Sequence, residues 1–386
     1  MMSIKLALRN LLGAGLRTWL NVIVLSFSYV IIIWYQGLID GWNVQARRDM
    51  IAWEIANGQY WNENYDPFDP FTLEDSHAKI PEELTSGIIA PILITQGTIY
   101  PEGRIQGVLL KGIPKDQKVL RIPTDKLVKE NGEIPIIIGS RMAKNNKLST
   151  GDFLTVRWRD TNGTFDATEV RIAGIFKTDV PSVDGGNIWL NLEDLQEMTQ
   201  SIGEATLIVA GSESISGKEI SGWDYKSLDF LLADLDQIIK QKSVGGSIMY
   251  ILLLLLAMLA IFDTQILSIF RRQKEIGTFV ALGMTRGQVV KLFTLEGGMN
   301  SVLAAIVAAV YGIPLLMFTR YTGYALPYDV DDLGIAISEV IYPSYSLGLI
   351  VGTILVVMIT ATFVSYLPAR KISKMNPTDA IKGKIQ

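Results

Sequence analysis

Four long apolar runs constrain this chain more than any other feature of its sequence. A helix needs about 20 mostly apolar residues to cross the roughly 30 Å hydrocarbon core of a bilayer. Runs of that length occupy residues 19–38, 248–270, 297–318 and 345–367, and only the second contains a charged residue, Asp263. The sequence therefore predicts an α-helical membrane protein with four transmembrane helices.

Composition excludes several kinds of chemistry. The chain has 386 residues, of which 49% are hydrophobic and 19% charged. Because it contains no cysteine, it cannot form disulfides, thiolate metal sites or cysteine nucleophiles, and a single histidine, His77, gives no basis for a histidine metal centre. No paired carboxylates or nucleophile constellation stands out. We therefore expect no enzyme activity, cofactor or metal on this chain.

The distribution of basic residues predicts the orientation of the spans, because cytoplasmic flanks retain Lys and Arg. The connection between the third and fourth runs has one basic residue, Arg320. Basic residues are concentrated before the first run, between the second and third, and after the fourth: Lys5, Arg9 and Arg17; Arg271, Arg272, Lys274, Arg286 and Lys291; Arg370, Lys371, Lys374, Lys382 and Lys384. Both termini are predicted to be cytoplasmic.

The predicted organisation has nine segments. In chain order they are a cytoplasmic interfacial helix (1–18), transmembrane helix 1 (19–39), an extracytoplasmic domain (40–244), transmembrane helix 2 (245–270), a cytoplasmic coupling hairpin (271–296), transmembrane helix 3 (297–319), a short external loop (320–344), transmembrane helix 4 (345–367) and a cytoplasmic tail (368–386).

The large external segment is predicted to fold as an α+β domain. Short β-prone runs lie at 88–99, 108–112, 134–139, 153–157, 169–176 and 205–210, and helices are expected at 140–147, 192–199 and 225–241. The last helix is expected to continue into transmembrane helix 2, with Gly245 and Gly246 as the only break. Acidic residues outnumber basic ones in this segment, which gives no support to nucleic-acid binding.

The connection 271–296 reads RRQKEIGTFVALGMTRGQVVKLFTLE and predicts a short helical hairpin. Gly283 can end one helix, and Thr285 can cap the next with Gln288 three positions later. Such a hairpin could transmit force from a cytoplasmic partner, with Arg271, Arg272 and Glu275 as charge contacts. The alternative is an inert polar connection held at the lipid headgroups by its basic residues.

Two motifs of this chain resemble those of the MacB/FtsX-type permeases. The tail has Leu367-Pro368-Ala369 followed by Asn376-Pro377 and Ala380, with Ile372 and Ile381 as mild departures from the family's ending. The hairpin pattern R-x-x-E-I-G-x-x-x-A-L-G is carried by Arg272, Glu275, Ile276, Gly277, Ala281, Leu282 and Gly283. With Arg271, these residues are what the resemblance implies for coupling to an ATPase.

The external segment looks more like the lipoprotein-releasing LolC and LolE branch than like the macrolide exporter. Its landmarks are Gly58-Gln59-Tyr60, Gly112-Ile113-Pro114, the stretch 137–143, Gly151-Asp152 and the stretch 174–178. The resemblance implies a MacB-type periplasmic core in a bacterial inner membrane. It also implies a P-loop ATPase dimer that holds ATP and Mg, a second permease copy or paralogue, membrane lipids, a lipid-anchored protein or amphiphile as substrate, and a possible periplasmic carrier.

The ATPase is expected on a partner, because no G-x-x-x-x-G-K-[ST] sequence occurs in this chain. Lipoprotein extraction is the leading functional hypothesis. Export of a peptide or amphiphile and mechanical regulation of a cell-wall hydrolase, without transport, are the alternatives. Asp263 is a candidate intramembrane polar site, since burying its charge is costly. It could instead reach water or Arg271 and serve packing alone.

Overall fold

A computed structural model describes residues 16–85, 87–130, 132–326 and 340–372. Residues 1–15 of the predicted interfacial helix, 327–339 of the predicted external loop and 373–386 of the predicted tail lie outside these ranges.

The helices fall into two groups by length. The described ranges contain α1 (Leu16–Met50), α2 (Glu82–Thr85), α3 (Ser140–Asn146), α4 (Pro181–Asp184), α5 (Leu192–Thr199), α6 (Leu228–Leu231), α7 (Ala233–Arg271), α8 (Gln273–Ala281), α9 (Arg286–Thr322) and α10 (Leu347–Ile372). The long helices α1, α7, α9 and α10 contain 18-residue stretches with mean hydropathies of 2.0 to 2.5, and they are long and apolar enough to cross a membrane.

Most strands lie between α1 and α7. They are β1 (Gln59–Asn62), β2 (Ala78–Lys79), β3 (Ile89–Ile99), β4 (Gln106–Ile113), β5 (Ile134–Gly139), β6 (Phe153–Arg159), β7 (Phe165–Phe176), β8 (Asn187–Asn191), β9 (Glu204–Ala205), β10 (Leu207–Ala210) and β11 (Trp223–Lys226). Two further short strands, β12 (Tyr324–Ala325) and β13 (Val340–Ile341), pair with each other.

The chain divides into two compact units. Among the described residues, the helical unit comprises 16–43, 239–325 and 340–372, and the sheet unit comprises those of 44–238 together with residue 326. The boundaries after Asn43 and before Ile239 both fall within helices, because Asn43 lies in α1 and Ile239 lies in α7.

The sheet unit is built on nine strands in the order β11-β1-β10-β3-β4-β8-β5-β7-β6. Strand β3 also pairs with β6, so the six strands from β3 to β6 close into a ring. The length of β3 makes this possible. Residues 89–92 of this strand pair with β10 and residues 97–99 pair with β6, while residues 93–99 pair with β4. Closure removes the exposed edges that a flat sheet would present.

Two apolar cores form because successive strand residues point to opposite faces of the sheet. Ile136 and Ile138 of β5 pack in one core with Ile188 and Leu190 of β8. The residues between them, including Ile137 of β5, pack in the second core. Strands β5 and β8 are thus buried on both faces, which explains why they read as continuous apolar runs rather than alternating ones.

The sequence located most of this unit but underestimated its sheet. Strand β5 and helix α5 have the predicted bounds, whereas β1, β8 and β11 were not expected. The helix predicted at 225–241 is wrong at its start, because Tyr225 and Lys226 belong to β11 and pair with β1. The predicted break at Gly245 and Gly246 is also wrong, since α7 is continuous through both residues.

Small residues allow close helix packing in the helical unit. Gly297 of α9 lies directly against Ser365 of α10, and an added Cβ would also lie 3.2 Å from Nε2 of Gln265. Gly37 and Gly41 of α1 face the segment before α10, where the Ser344 amide donates a 2.8 Å hydrogen bond to the Gly37 carbonyl oxygen. Larger side chains at these glycines would separate the packed elements.

A buried ion pair joins the first turn of α3, directly after β5, to helix α4. The Asp184 side chain is fully buried and accepts hydrogen bonds from the Arg141 amide at 3.1 Å and from Nη1 of Arg141 at 3.4 Å. Gly139 lies against this carboxylate, and a Cβ added there would lie 2.8 Å from Cα of Asp184. The ion pair therefore leaves no space for a side chain at position 139.

We expect Gly139→Ala to destabilise the sheet unit by about 1–3 kcal/mol, because overpacking forces backbone shifts. The measurement is thermal unfolding of the purified full chain in detergent, followed by tryptophan fluorescence. Gly107→Ala in β4 is the matched control, since a Cβ there has nothing within 4 Å. Equal unfolding midpoints for the two variants would show that Asp184 does not confine Gly139.

Candidate functional site

The connection between α7 and α9, hereafter the hairpin (residues 271–296), has the turn that the sequence predicts. Helix α8 ends at Ala281, and Gly283 adopts a left-handed backbone with φ of 96°. The Thr285 side chain accepts a hydrogen bond from the Gln288 amide, and the Gln288 side chain accepts one from the Thr285 amide. This reciprocal capping box starts α9 and confirms the predicted cap.

Arg272 connects the start of the hairpin to its end. Its Nη1 donates to both carboxylate oxygens of Glu296, at 2.8 and 2.9 Å. Its Nε donates to Oε2 of Glu275 at 2.7 Å, and the guanidinium lies 5.1 Å from the centre of the Phe293 ring. One cation therefore contacts two carboxylates and an aromatic face at the junction of α7, α8 and α9.

Both partners of the inner pair are removed from water. The Glu296 side chain is 9% exposed and the Arg272 side chain 19% exposed, whereas that of Glu275 is 56% exposed. Burial alone lowers the pKa of Arg272, but the carboxylates of Glu275 and Glu296 outweigh it, and the pKa lies above its ordinary value. The guanidinium therefore remains charged at any physiological pH.

An apolar cluster beside this pair holds α8 in place. Ile276 of α8 packs with Val289 and Phe293 of α9 and with Ala369 of α10, and all four side chains are at most 5% exposed. The hairpin is thus anchored to two long helices by both a buried ion pair and hydrophobic contact. Such anchoring allows α8 to move with the helical unit as one body.

The predicted coupling residues divide into an inner and an outer group. Arg272 is half-buried, and Ile276 and Gly277 are buried. Arg271, Glu275, Ala281, Leu282 and Gly283 are exposed, with Leu282 at 80%. The inner residues build the hairpin, and the outer ones form its accessible surface. The expectation that Arg272 contacts an ATPase directly stays a prediction, and its ion pairs already engage it within the chain.

Sequence reasoning assigned no role to Glu296 or Phe293. A signal for Glu296 was present, because it directly precedes an uncharged apolar run and a carboxylate there needs a partner. Arg272, 24 residues earlier in the chain, is that partner. Phe293 gave no separate signal, since an aromatic residue near the end of a span is ordinary.

Asp263 lies elsewhere, on α7 within the second apolar run. Its side chain is exposed on the surface of the helical unit, whereas Ala257, Ile261 and Gln265 on the same helix are buried. The structure does not bring Asp263 together with the hairpin residues: no described residue forms an ion pair with its carboxylate.

Comparison with known families places the hairpin in a recognised domain. Residues 247–377, which include α8, α9, α10 and most of α7, match the family described as FtsX-like permease C-terminal. They form an FtsX-like permease domain. This domain contains the hairpin, Asp263 and the motif that the sequence analysis took as the basis of the resemblance, so the resemblance to MacB/FtsX-type permeases is confirmed.

Curated proteins similar to this chain are ABC transporter permeases. It is 24% identical over 280 residues to an uncharacterized ABC transporter permease of Methanocaldococcus jannaschii, which covers 68% of this chain and 65% of the relative. It is 22% identical over 340 residues to the lipoprotein-releasing system transmembrane protein LolC of Neisseria meningitidis serogroup B, covering 78% and 79%.

A third relative aligns over a shorter part. The macrolide export ATP-binding/permease protein MacB of Chromobacterium violaceum is 26% identical over 164 residues, which is 40% of this chain and 22% of the relative. The chain is thus similar to permeases of ABC transporters, and it has four helices long and apolar enough to cross a membrane.

We expect Arg272→Ala to lower the free energy of unfolding of the full chain by about 3 kcal/mol or more, because it leaves the Glu296 carboxylate buried without its cation. Glu275→Ala removes the exposed contact and should cost less than about 1 kcal/mol. Thermal unfolding midpoints in detergent compare the two variants. A similar loss for both would mean that the Arg272–Glu296 pair does not anchor the hairpin.

Proposed function

We propose that this chain is the permease subunit of an ATP-binding cassette transporter that couples ATP hydrolysis on a separate subunit to movement of an extracytoplasmic domain, and that its substrate is a lipoprotein of the inner membrane. In this proposal the hairpin is cytoplasmic and receives the ATPase, which carries ATP and Mg. The sheet unit is extracytoplasmic, and both termini are cytoplasmic.

The hairpin carries the coupling part of the proposal. Its outer surface combines an exposed apolar residue, Leu282, with the exposed charges of Arg271, Lys274 and Glu275. Interfaces commonly have such an apolar centre and polar rim. Its inner surface is anchored by the Arg272–Glu296 pair, so a force applied at Leu282 would act on α7 and α9 rather than deform the hairpin.

The continuity of helix α7 supports the proposal that movement of the hairpin is transmitted along the chain. Helix α7 runs from Ala233 to Arg271 without a break, so its first residues belong to the sheet unit and its last residue begins the hairpin. A continuous α-helix is a stiff element. A displacement of the hairpin would therefore be carried along α7 rather than absorbed at a flexible linker.

The extent of similarity to LolC favours a lipoprotein over other substrates. The LolC relative aligns over 78% of this chain, whereas the MacB relative aligns over 40%. An alignment of that length must include much of the sheet unit as well as the permease domain. An apolar groove of about 520 Å³ on α1 and α9, lined by Ile23, Phe27 and Tyr311 among others, would suit acyl chains.

Export of a peptide or amphiphile is a second candidate. The observation that favours it is the MacB relative, whose identity of 26% is comparable to that of the LolC relative. The same groove would accept an amphiphile, so the two functions differ in whether a lipid-anchored protein occupies it.

We expect Leu282→Asp to reduce co-purification of the ATPase by roughly tenfold or more, because a charge replaces the apolar centre of the docking surface. Affinity purification from native membranes followed by quantitative mass spectrometry measures the loss. Leu347→Asp is the matched control: Leu347 is 77% exposed against 80% for Leu282. It lies about 33 Å along α10 from Ala369. Equal recovery of the ATPase with both variants would contradict the assignment of the hairpin.

The unmodified chain tests the substrate. Purification in mild detergent should recover a P-loop ATPase together with a triacylated lipoprotein, since the proposed groove holds acyl chains. Recovery of the ATPase with a peptide or small amphiphile and no lipoprotein would favour the second candidate. Recovery of the ATPase with a cell-wall hydrolase and no cargo would contradict transport altogether.

A further inference from the structure

A groove of about 710 Å³ lies on the ring of strands in the sheet unit. Cross-strand pairing builds its floor, because Thr98 of β3 pairs with Gly107 of β4 on one side and with Arg157 of β6 on the other. Directly paired residues point to the same face of a sheet, so these three positions form one row. The volume of the groove lies within the range of about 300–1,000 Å³ that is usual for small-molecule sites.

The wall of the groove is held in place by contacts within the sheet unit. It is a 3-10 turn between β1 and β2 that starts at Pro70. Nε2 of Gln96 donates a 2.9 Å hydrogen bond to the Pro70 carbonyl oxygen, and Nη1 of Arg159 lies 2.7 Å from Oε1 of Glu74. Leu73 of the same turn is buried in the second core. Three contacts thus form the groove in advance, which lowers the entropic cost of binding a ligand.

The groove carries an unbalanced positive charge. Its charged lining residues, within the described part of the chain, are Glu74, Arg157 and Arg159. Glu74 and Arg159 form an ion pair with each other. Arg157 is exposed, and its guanidinium forms no ion pair or hydrogen bond with any residue that the structure describes. The groove therefore complements a ligand with a single negative charge.

The ring of Phe165 orients this guanidinium. Cζ of Arg157 lies 4.3 Å from the centre of the ring. Stacking covers one face of the planar cation but leaves the N–H donors at its edge free. That edge matches the two oxygens of a carboxylate. The Thr98 hydroxyl lines the same groove on the neighbouring strand and can donate a further hydrogen bond.

We propose that this groove binds a small organic acid, with its carboxylate on Arg157 and its apolar body along Gly107 and Leu109. Leu109 is half-buried in the floor, two residues along β4 from Gly107. A Cβ added at Gly107 would have no atom within 4 Å, so the floor is open there. An inorganic anion would use the cation and leave this apolar floor empty. The inference concerns the sheet unit alone and does not depend on which substrate the chain transports.

Equilibrium dialysis of the full chain in detergent tests the ligand class. The probe is N-acetylphenylalanine, which combines one carboxylate with an apolar ring. We expect saturable binding of one molecule per chain, with a Kd of about 1 mM or lower. The neutral amide of the same compound and inorganic phosphate should each bind about tenfold more weakly or less, because one lacks the charge and the other lacks the apolar body.

Variants locate the binding in the groove. Arg157→Gln removes the charge and should weaken binding of N-acetylphenylalanine about tenfold or more. Arg121→Gln is the matched control, because Arg121 is also an exposed arginine of the sheet unit but does not line the groove. Gly107→Leu keeps the charge and fills the floor, and it should weaken binding by a similar factor. Thermal unfolding midpoints without ligand should remain close to that of the natural chain, since the space at Gly107 is open.

Three results would overturn the proposal. They are an absence of saturable binding of N-acetylphenylalanine, equal binding of the acid and its amide, and equal effects of Arg157→Gln and Arg121→Gln. ATPase recovery with the natural chain separates this inference from the proposed function. If the ATPase co-purifies but the acid does not bind, the groove assignment is wrong and the permease assignment stands. If the acid binds but no ATPase is recovered, the groove assignment stands and the proposed function fails.

Discussion

Hydrocarbon provides no hydrogen-bond partners, and this constraint determines where each polar group of the helical unit can lie. Glu296 directly precedes an uncharged run, and its carboxylate is buried against Arg272 rather than exposed to lipid. Pairing stabilises the buried charge only because the guanidinium also contacts Glu275 and the Phe293 ring, which complete its surroundings. The orientation of the hairpin follows from this pair, since Arg272 directly precedes α8.

Asp263 is placed differently from Glu296. Glu296 finds its partner within the chain, whereas Asp263 faces away from the three helices that pack with α7. Helix α7 thus ends at the anchored hairpin. About 12 Å before Arg271 along this helix it carries the Asp263 carboxyl group, which forms no ion pair with a described residue.

Sequence reasoning located the features that depend on local chemistry. The length of the apolar runs identified the four long helices, and Gly283 and Thr285 placed the turn of the hairpin correctly. It failed where pairing between distant residues decides the structure. Tyr225 and Lys226 were assigned to a helix because the following residues are helical, but backbone pairing with Gln59 and Tyr60 of β1 makes them a strand. The Arg272–Glu296 pair was missed for the same reason, since its partners are 24 residues apart.

Local sequence signals are weakest in the sheet unit. The ring of strands β3 to β6 is closed by pairing between residues 97–99 and 156–158, which no local pattern indicates. Closure leaves both apolar cores internal, so this unit has its own stability independent of membrane burial. The residues that match the FtsX-like permease family were therefore recognisable from local motifs, whereas the closure of the sheet unit was not.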